Sequence, residues 1–286
     1  MNTIALQKNQ TAGKKWGFSS CSLKILALFL MTLDHIYVYL GDALLSAPHI
    51  FTLLGRISAP LFLFVMAEGF SHTHNRLSYL KRLYIASVLM SIGNLLINTY
   101  LPHPKGAMVI NGMFATLFVT GLYIWGIELL AASIRQKKWK KALLPMTMLL
   151  MPVCSGIAVL EIMSSPLSQS LPSILQLLLI LAPSPIFVEG SVCWVILGIG
   201  FYFFRNHKVR LSLFYILVSA LFLLSAASEG MTYENLFILN DQWFMILSLP
   251  FMLLYNGTRG KKLKYFFYVY YPLHVYLLVI LARVLA

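Results

Sequence analysis

Runs of about twenty apolar residues recur along nearly the whole chain, separated by short polar loops, and this pattern limits the fold more than any other feature. Crossing about 30 Å of hydrocarbon takes roughly 20 apolar residues in a helix. Backbone polar groups inside lipid must be satisfied within the protein, and the runs lack the alternation of barrel strands, so each run is read as a helix. The chain is therefore expected to be all-α, a polytopic transmembrane helical bundle. Of its 286 residues 59% are hydrophobic and 11% charged, which leaves no room for a separate soluble domain. Residues 1–22 form a polar arm, and residues 23–286 a single membrane domain. The arm carries Lys8, Lys14 and Lys15 ahead of the first apolar run and resembles a signal anchor.

Nine runs are read as crossings: Leu23–Leu40, Phe51–Phe70, Leu83–Leu101, Gly112–Ile134, Ala142–Met163, Val188–Phe204, Leu211–Ser228, Gln242–Tyr255 and Tyr265 to the C-terminus. Leu171–Phe187 is apolar but holds Pro172, Pro183 and Pro185, and is read as re-entrant or surface-lying, with a tenth crossing as the alternative. Charge decides between them. With the N-terminus cytoplasmic and that stretch not crossing, all of the 22 Lys and Arg except Arg56, Lys105 and Arg283 fall on cytoplasmic segments or their ends. Asp42, Glu161, Glu189, Glu229, Glu234 and Asp241 then collect on the outer side. The expected location is the inner (plasma) membrane, with lipid as a partner. The net charge of +13 is accounted for by topology and anionic lipid, so no nucleic acid is implied.

Ionisable groups within spans are costly and usually face the bundle interior. Asp34 lies eleven residues past Leu23, about 16 Å along its helix. Arg56 enters the next span from the other side and reaches a similar height, so an Asp34–Arg56 ion pair is expected. Asn94 and His274 fall near the same height, giving a polar layer drawn from four helices. These groups suit interhelical glue as well as chemistry. His35, a buried imidazole beside a carboxylate, suits general-base catalysis. No metal site is expected, since the seven His residues show no i, i+4 pair within a span. Cys21, Cys154 and Cys193 are assigned no chemistry. Glu68 and Glu128 read as charge balance for the basic loops. The loop from Asn256 to Lys262, NGTRGKK, combines glycines with Arg259 and Lys261, a pattern that fits a phosphate as well as a plain topogenic loop. The same two readings apply to His72–Arg82.

Three segments resemble the TraX family of membrane acetyltransferases: SLKILALFLMTLDHI (Ser22–Ile36), GRISAPLFLFVMAEGFSHTHNRLSYLKRL (Gly55–Leu83) and LLYNGTRGKKLKYFFYVYYPLH (Leu253–His274). The Glu-Gly segment Phe187–Asn206 is similar as well, with Ser191 where the family has a second glycine. The family's founding function is acetylation of the N-terminal amine of a conjugative pilin. The resemblance implies acetyl-CoA as cosubstrate and an amine or hydroxyl acceptor on a peptide or other envelope component. It also implies a catalytic role for His35. Asp34 and Arg56 are then expected to orient His35, and His274 or Asn94 to stabilise an oxyanion. Arg76, Arg82, Tyr255, Asn256, Arg259 and Lys261 are expected to hold the donor's phosphates. A proton-coupled small-solute transporter is the alternative, since buried Asp, His and Arg serve carriers too, although no internal repeat is visible. A noncatalytic scaffold is the third reading.

Overall fold

The computed structural model describes residues 16–41, 47–166 and 170–286, so Asp42, Lys8, Lys14 and Lys15 lie outside the described residues. The α-helices of the described chain are α1 Ser20–Leu40, α2 Ile50–Gly55, α3 Ser58–Ser71, α4 Arg76–Tyr100, α5 Met113–Arg135, α6 Leu143–Ser164, α7 Pro172–Leu181, α8 Ser191–Phe204, α9 Lys208–Ser228, α10 Leu249–Leu253 and α11 Lys264–Leu285. Among these residues seven helical stretches are long and apolar enough to cross a membrane, Ile50–Ser71 counting as one. Two of the nine expected crossings are shorter. The run Val188–Phe204 becomes helical only at Ser191, and Gln242–Tyr255 is a 3₁₀ helix, Asp241–Ser248, followed by the five residues of α10. At 2.0 Å per 3₁₀ residue and 1.5 Å per α residue this composite still reaches about 23 Å. The stretch expected to be re-entrant or surface-lying holds α7, whose ten residues span about 15 Å and cannot cross alone.

Contacts fix the directions of the elements. Thr32 meets Tyr270 and His35 meets His274, so the first and last helices run parallel. Arg76 meets Glu128, and the Tyr84 ring meets that of Phe118, so α4 and α5 run antiparallel. Glu189 meets Gly112 at one end of α8 and Tyr202 meets Glu128 at the other, so α8 runs parallel to α5. The composite Asp241–Leu253 travels from the level of Arg56 to the level of Phe18. One end of the bundle thus gathers the starts of α1 and α4 with the basic loops around Arg205 and Arg259, and is called the basic end below.

The core runs through Leu23 on α1, Leu61 and Phe64 on α3, Ile124 on α5, Phe201 on α8 and Tyr215 on α9. The Ser58 hydroxyl donates to the Ala27 carbonyl at 2.8 Å and pins α3 to α1. Two features depart from a simple bundle. The expected span Phe51–Phe70 is broken at Arg56–Ile57, between α2 and α3. The segment after α4 also folds back into the bundle. Asn98 pairs with Val109 through both backbone groups at 2.9 Å, and the Asn94 side chain donates to the Asn111 carbonyl at 2.7 Å. Val109–Asn111 therefore descends along α4 as extended chain, and α5 begins below the rim. Such backbone is tolerated at membrane depth only when protein groups satisfy it, and here two asparagines four residues apart do so.

Candidate functional site

The loop Asn256–Lys262 is first of all a clamp. Phe18 forms an isolated parallel bridge with Tyr255, the Ser20 and Cys21 N–H groups donate to the carbonyls of Thr258 and Arg259, and the Ser20 hydroxyl donates to the Tyr255 hydroxyl. These bonds satisfy N–H groups that the first turn of α1 leaves free. Gly260 has φ of +70°, and a Cβ there would lie 2.5 Å from the Ser19 hydroxyl, which explains this glycine without any ligand. Asn256 is likewise structural, its side chain bonding Gly17 and Thr258. The side chains of Arg259 and Lys261 remain exposed at the basic end.

Deeper in the bundle, α1 and α11 bring His35 and His274 together. The two rings are stacked with centroids 5.0 Å apart, and His35 Nδ1 lies 2.8 Å from His274 Nε2. Both residues are 6% exposed. His274 Nδ1 lies 2.9 Å from the Tyr270 carbonyl, which can only accept, so that nitrogen carries the proton. Nε2 of neutral His274 then accepts, and His35 Nδ1 donates to it. That leaves His35 Nε2 with a lone pair, facing the Asn111 side-chain nitrogen at 2.9 Å, while Asn111 Oδ1 accepts from the Tyr39 hydroxyl at 2.9 Å. One carbonyl thus sets the tautomers of the whole chain of contacts. His274 has no N–H to spare, so it does not serve as the expected oxyanion donor in this arrangement.

Asn94 belongs to the same layer at one remove. Its nitrogen holds Asn111, and its oxygen accepts from the Tyr276 hydroxyl at 3.1 Å. Glu189, in the loop before α8, supports the floor. It accepts from the Gly112 N–H at 2.7 Å and the Tyr271 hydroxyl at 3.1 Å, while the Thr116 hydroxyl donates to its carbonyl.

Asp34 and Arg56 do not join this layer as expected. Arg56 Nε lies 2.9 Å from Asp241 Oδ1, and its Nη2 donates to the Thr52 hydroxyl at 2.9 Å. Asp34 packs on the backbone of Gly55, where an added Cβ would fall 2.4 Å from the Asp34 Cβ, and its Oδ1 has no hydrogen-bond partner. The expected Asp34–Arg56 pair is therefore an Arg56–Asp241 pair. The cause is azimuth: the two residues share a height, but the break after Gly55 swings the guanidinium toward the 3₁₀ segment.

Arg76 is also committed elsewhere. It pairs with Glu128 and donates to the Tyr202 hydroxyl at 3.2 Å, which removes it from the expected phosphate set. Arg82 is exposed at the mouth of a groove of about 410 Å³ between α4 and α11. Asn111, Tyr39, Tyr276 and Glu189 were not foreseen as site residues. The signal for Asn111 was the pair Asn94 and Asn98 on one face of an otherwise apolar helix, two amides that required backbone partners.

The chain matches the family model described as TraX protein over residues 19–282, a range that includes His35, Asn94, Asn111 and His274. It is similar to the probable fimbrial assembly protein FimC, serogroup H1, of Dichelobacter nodosus. The identity is 24% over 268 residues, covering 91% of this chain and 94% of that protein. No solved structure matches it. A continuous match through both ends of the bundle, including the two helices that supply the paired histidines, makes this chain a member of the TraX protein family.

Proposed function

We propose that this protein is an inner-membrane acyltransferase that moves an acetyl group from cytoplasmic acetyl-CoA to an amine or hydroxyl of a pilin-like peptide or another envelope component. The carrying observation is the His35–His274 couple, in which buried His35 Nε2 presents a lone pair inside the bundle. The basic end faces the cytoplasm in this reading, as the distribution of Lys and Arg requires. The printed name of the Dichelobacter relative, a fimbrial assembly protein, supports a fibre subunit as acceptor.

In the reaction the acceptor N–H or O–H replaces the Asn111 amide at His35 Nε2. Its lone pair adds to the thioester carbonyl carbon while Nε2 takes its proton. As positive charge builds on His35, the Nδ1 proton shifts toward His274 Nε2, and the Tyr270 carbonyl steadies the resulting imidazolium. The second N–H of the Asn94 amide, or of the displaced Asn111 amide, supplies the oxyanion donor. Collapse of the tetrahedral species breaks the C–S bond, and the proton returns to sulfur as the CoA thiol leaves. Protons balance, and the couple ends as it began.

The test uses the purified protein in nanodiscs with radiolabelled acetyl-CoA and a peptide bearing a free N-terminal amine, with products read by mass spectrometry. Wild type transfers label and His35→Ala does not, with unchanged thermal stability. Full transfer by His35→Ala would remove the assignment.

A further inference from the structure

The groove between α4 and α11 is lined by Arg82, Ala86, Met90, Phe114, Pro272 and Tyr276, among others. Its walls are apolar, but its two ends are not. At the basic end stands Arg82, with which no carboxylate pairs among the described residues, and its guanidinium lies near the Tyr79 ring and within electrostatic reach of the Tyr268 hydroxyl. At the far end the Tyr276 hydroxyl donates to Asn94, Asn94 holds Asn111, and Asn111 touches His35 Nε2. Three hydrogen bonds thus connect the head of the groove to the nitrogen that carries the lone pair.

Length provides an independent constraint. From Arg82 to Met90 is about 12 Å of helix, and from Tyr265 to Tyr276 about 16 Å. An extended phosphopantetheine arm, thirteen bonds from phosphorus to sulfur, measures about 15 Å at ordinary chain geometry. The arm carries two amides, and the groove wall offers an acceptor for one of them: Pro272 has no N–H for the Tyr268 carbonyl.

We infer that this groove is the donor channel, holding the phosphopantetheine arm of an acyl-CoA with its phosphates on Arg82 and its thioester beside Tyr276 and Asn94. This rests on the acyltransferase reading and gives that reaction its path. A short acyl group suits the polar head of the groove, where the Tyr276 hydroxyl and the Asn94 amide lie. Gly93 is part of the design, because a Cβ there would lie 2.2 Å from the Tyr276 hydroxyl and push this residue off Asn94.

The test compares two donors, acetyl-CoA and S-acetyl-N-acetylcysteamine, which keeps the thioester end of the arm and lacks the phosphates. Arg82→Gln should raise the KM for acetyl-CoA at least tenfold and leave the KM for the truncated donor within twofold. Ala86→Trp, which fills the channel, should raise both at least tenfold; Ala86→Leu serves the same purpose if the tryptophan variant fails to fold. Leu96→Trp, farther along α4, should change neither. Folded Ala86 variants with both KM values unchanged would overturn the assignment. So would native mass spectrometry in which Ala86→Trp loses a bound phospholipid while donor KM stays constant. A wild type that binds CoA but transfers nothing removes the enzyme reading, and the channel then stands or falls on whether Ala86→Trp abolishes that binding.

Discussion

Replacing His274 by alanine removes the acceptor for the His35 Nδ1–H and leaves that donor buried, at a cost of about 1–3 kcal/mol. The ring escapes the penalty by changing tautomer. The proton moves to Nε2, the Asn111 amide rotates to accept it, and the lone pair turns toward the hole left by the missing imidazole. The basic form then becomes a minority species, and at 1.36 kcal/mol per factor of ten the population falls about 5- to 150-fold. Loss of the relay to the Tyr270 carbonyl adds to this, so the transfer rate should drop at least 100-fold with little change in the KM for acetyl-CoA. Stability should change far less, since single interhelical hydrogen bonds in membranes average about 0.6 kcal/mol. His274→Gln restores an acceptor at a similar reach and should recover part of the rate. Steady-state acetyl transfer in nanodiscs gives the rates, and ¹⁵N shifts of His35 report which nitrogen carries the proton. An alanine variant within twofold of wild type, or one whose His35 keeps its proton on Nδ1, refutes the reasoning.

Arg76→Gln should leave the KM for acetyl-CoA unchanged, because Glu128 and Tyr202 already occupy this side chain, whereas Arg82→Gln should raise it. Asp241→Ala should cost about 1–3 kcal/mol in detergent unfolding, below the range for a fully buried pair because Arg56 is one third exposed. Gly55→Ala forces a methyl against the Asp34 Cβ and should lower stability by about 1–3 kcal/mol on the same assay. Asn98→Ala should free Val109 and raise amide exchange in residues 107–112 without affecting exchange in α9.

Much of this fold was legible because apolar length and basic loops obey the physics of the bilayer rather than details of packing. Counting residues from a helix end also placed His35, Asn94 and His274 in one layer. The same count misassigned the partner of Arg56, since it yields height but not rotation about the helix axis, and Asp241 lies 185 residues away on a 3₁₀ segment. Asn111 was not legible for a different reason: the segment before α5 is drawn inward by Asn94 and Asn98, a tertiary contact that residue counting does not give. The glycines near Arg259 fit anion contact by type, yet tertiary packing against Ser19 and Cys21 explains Gly260.

The clamp joining Phe18–Cys21 to Leu254–Arg259 ties the start of α1 to a loop more than two hundred residues later. During synthesis the leading turn of α1 stays unsealed until the ribosome has made more than two hundred further residues. The half-built bundle has neither its closing latch nor His274, so no partial product holds the histidine couple. Early termination ahead of α11 would leave a bundle without its closing helix and without the His35–His274 contact.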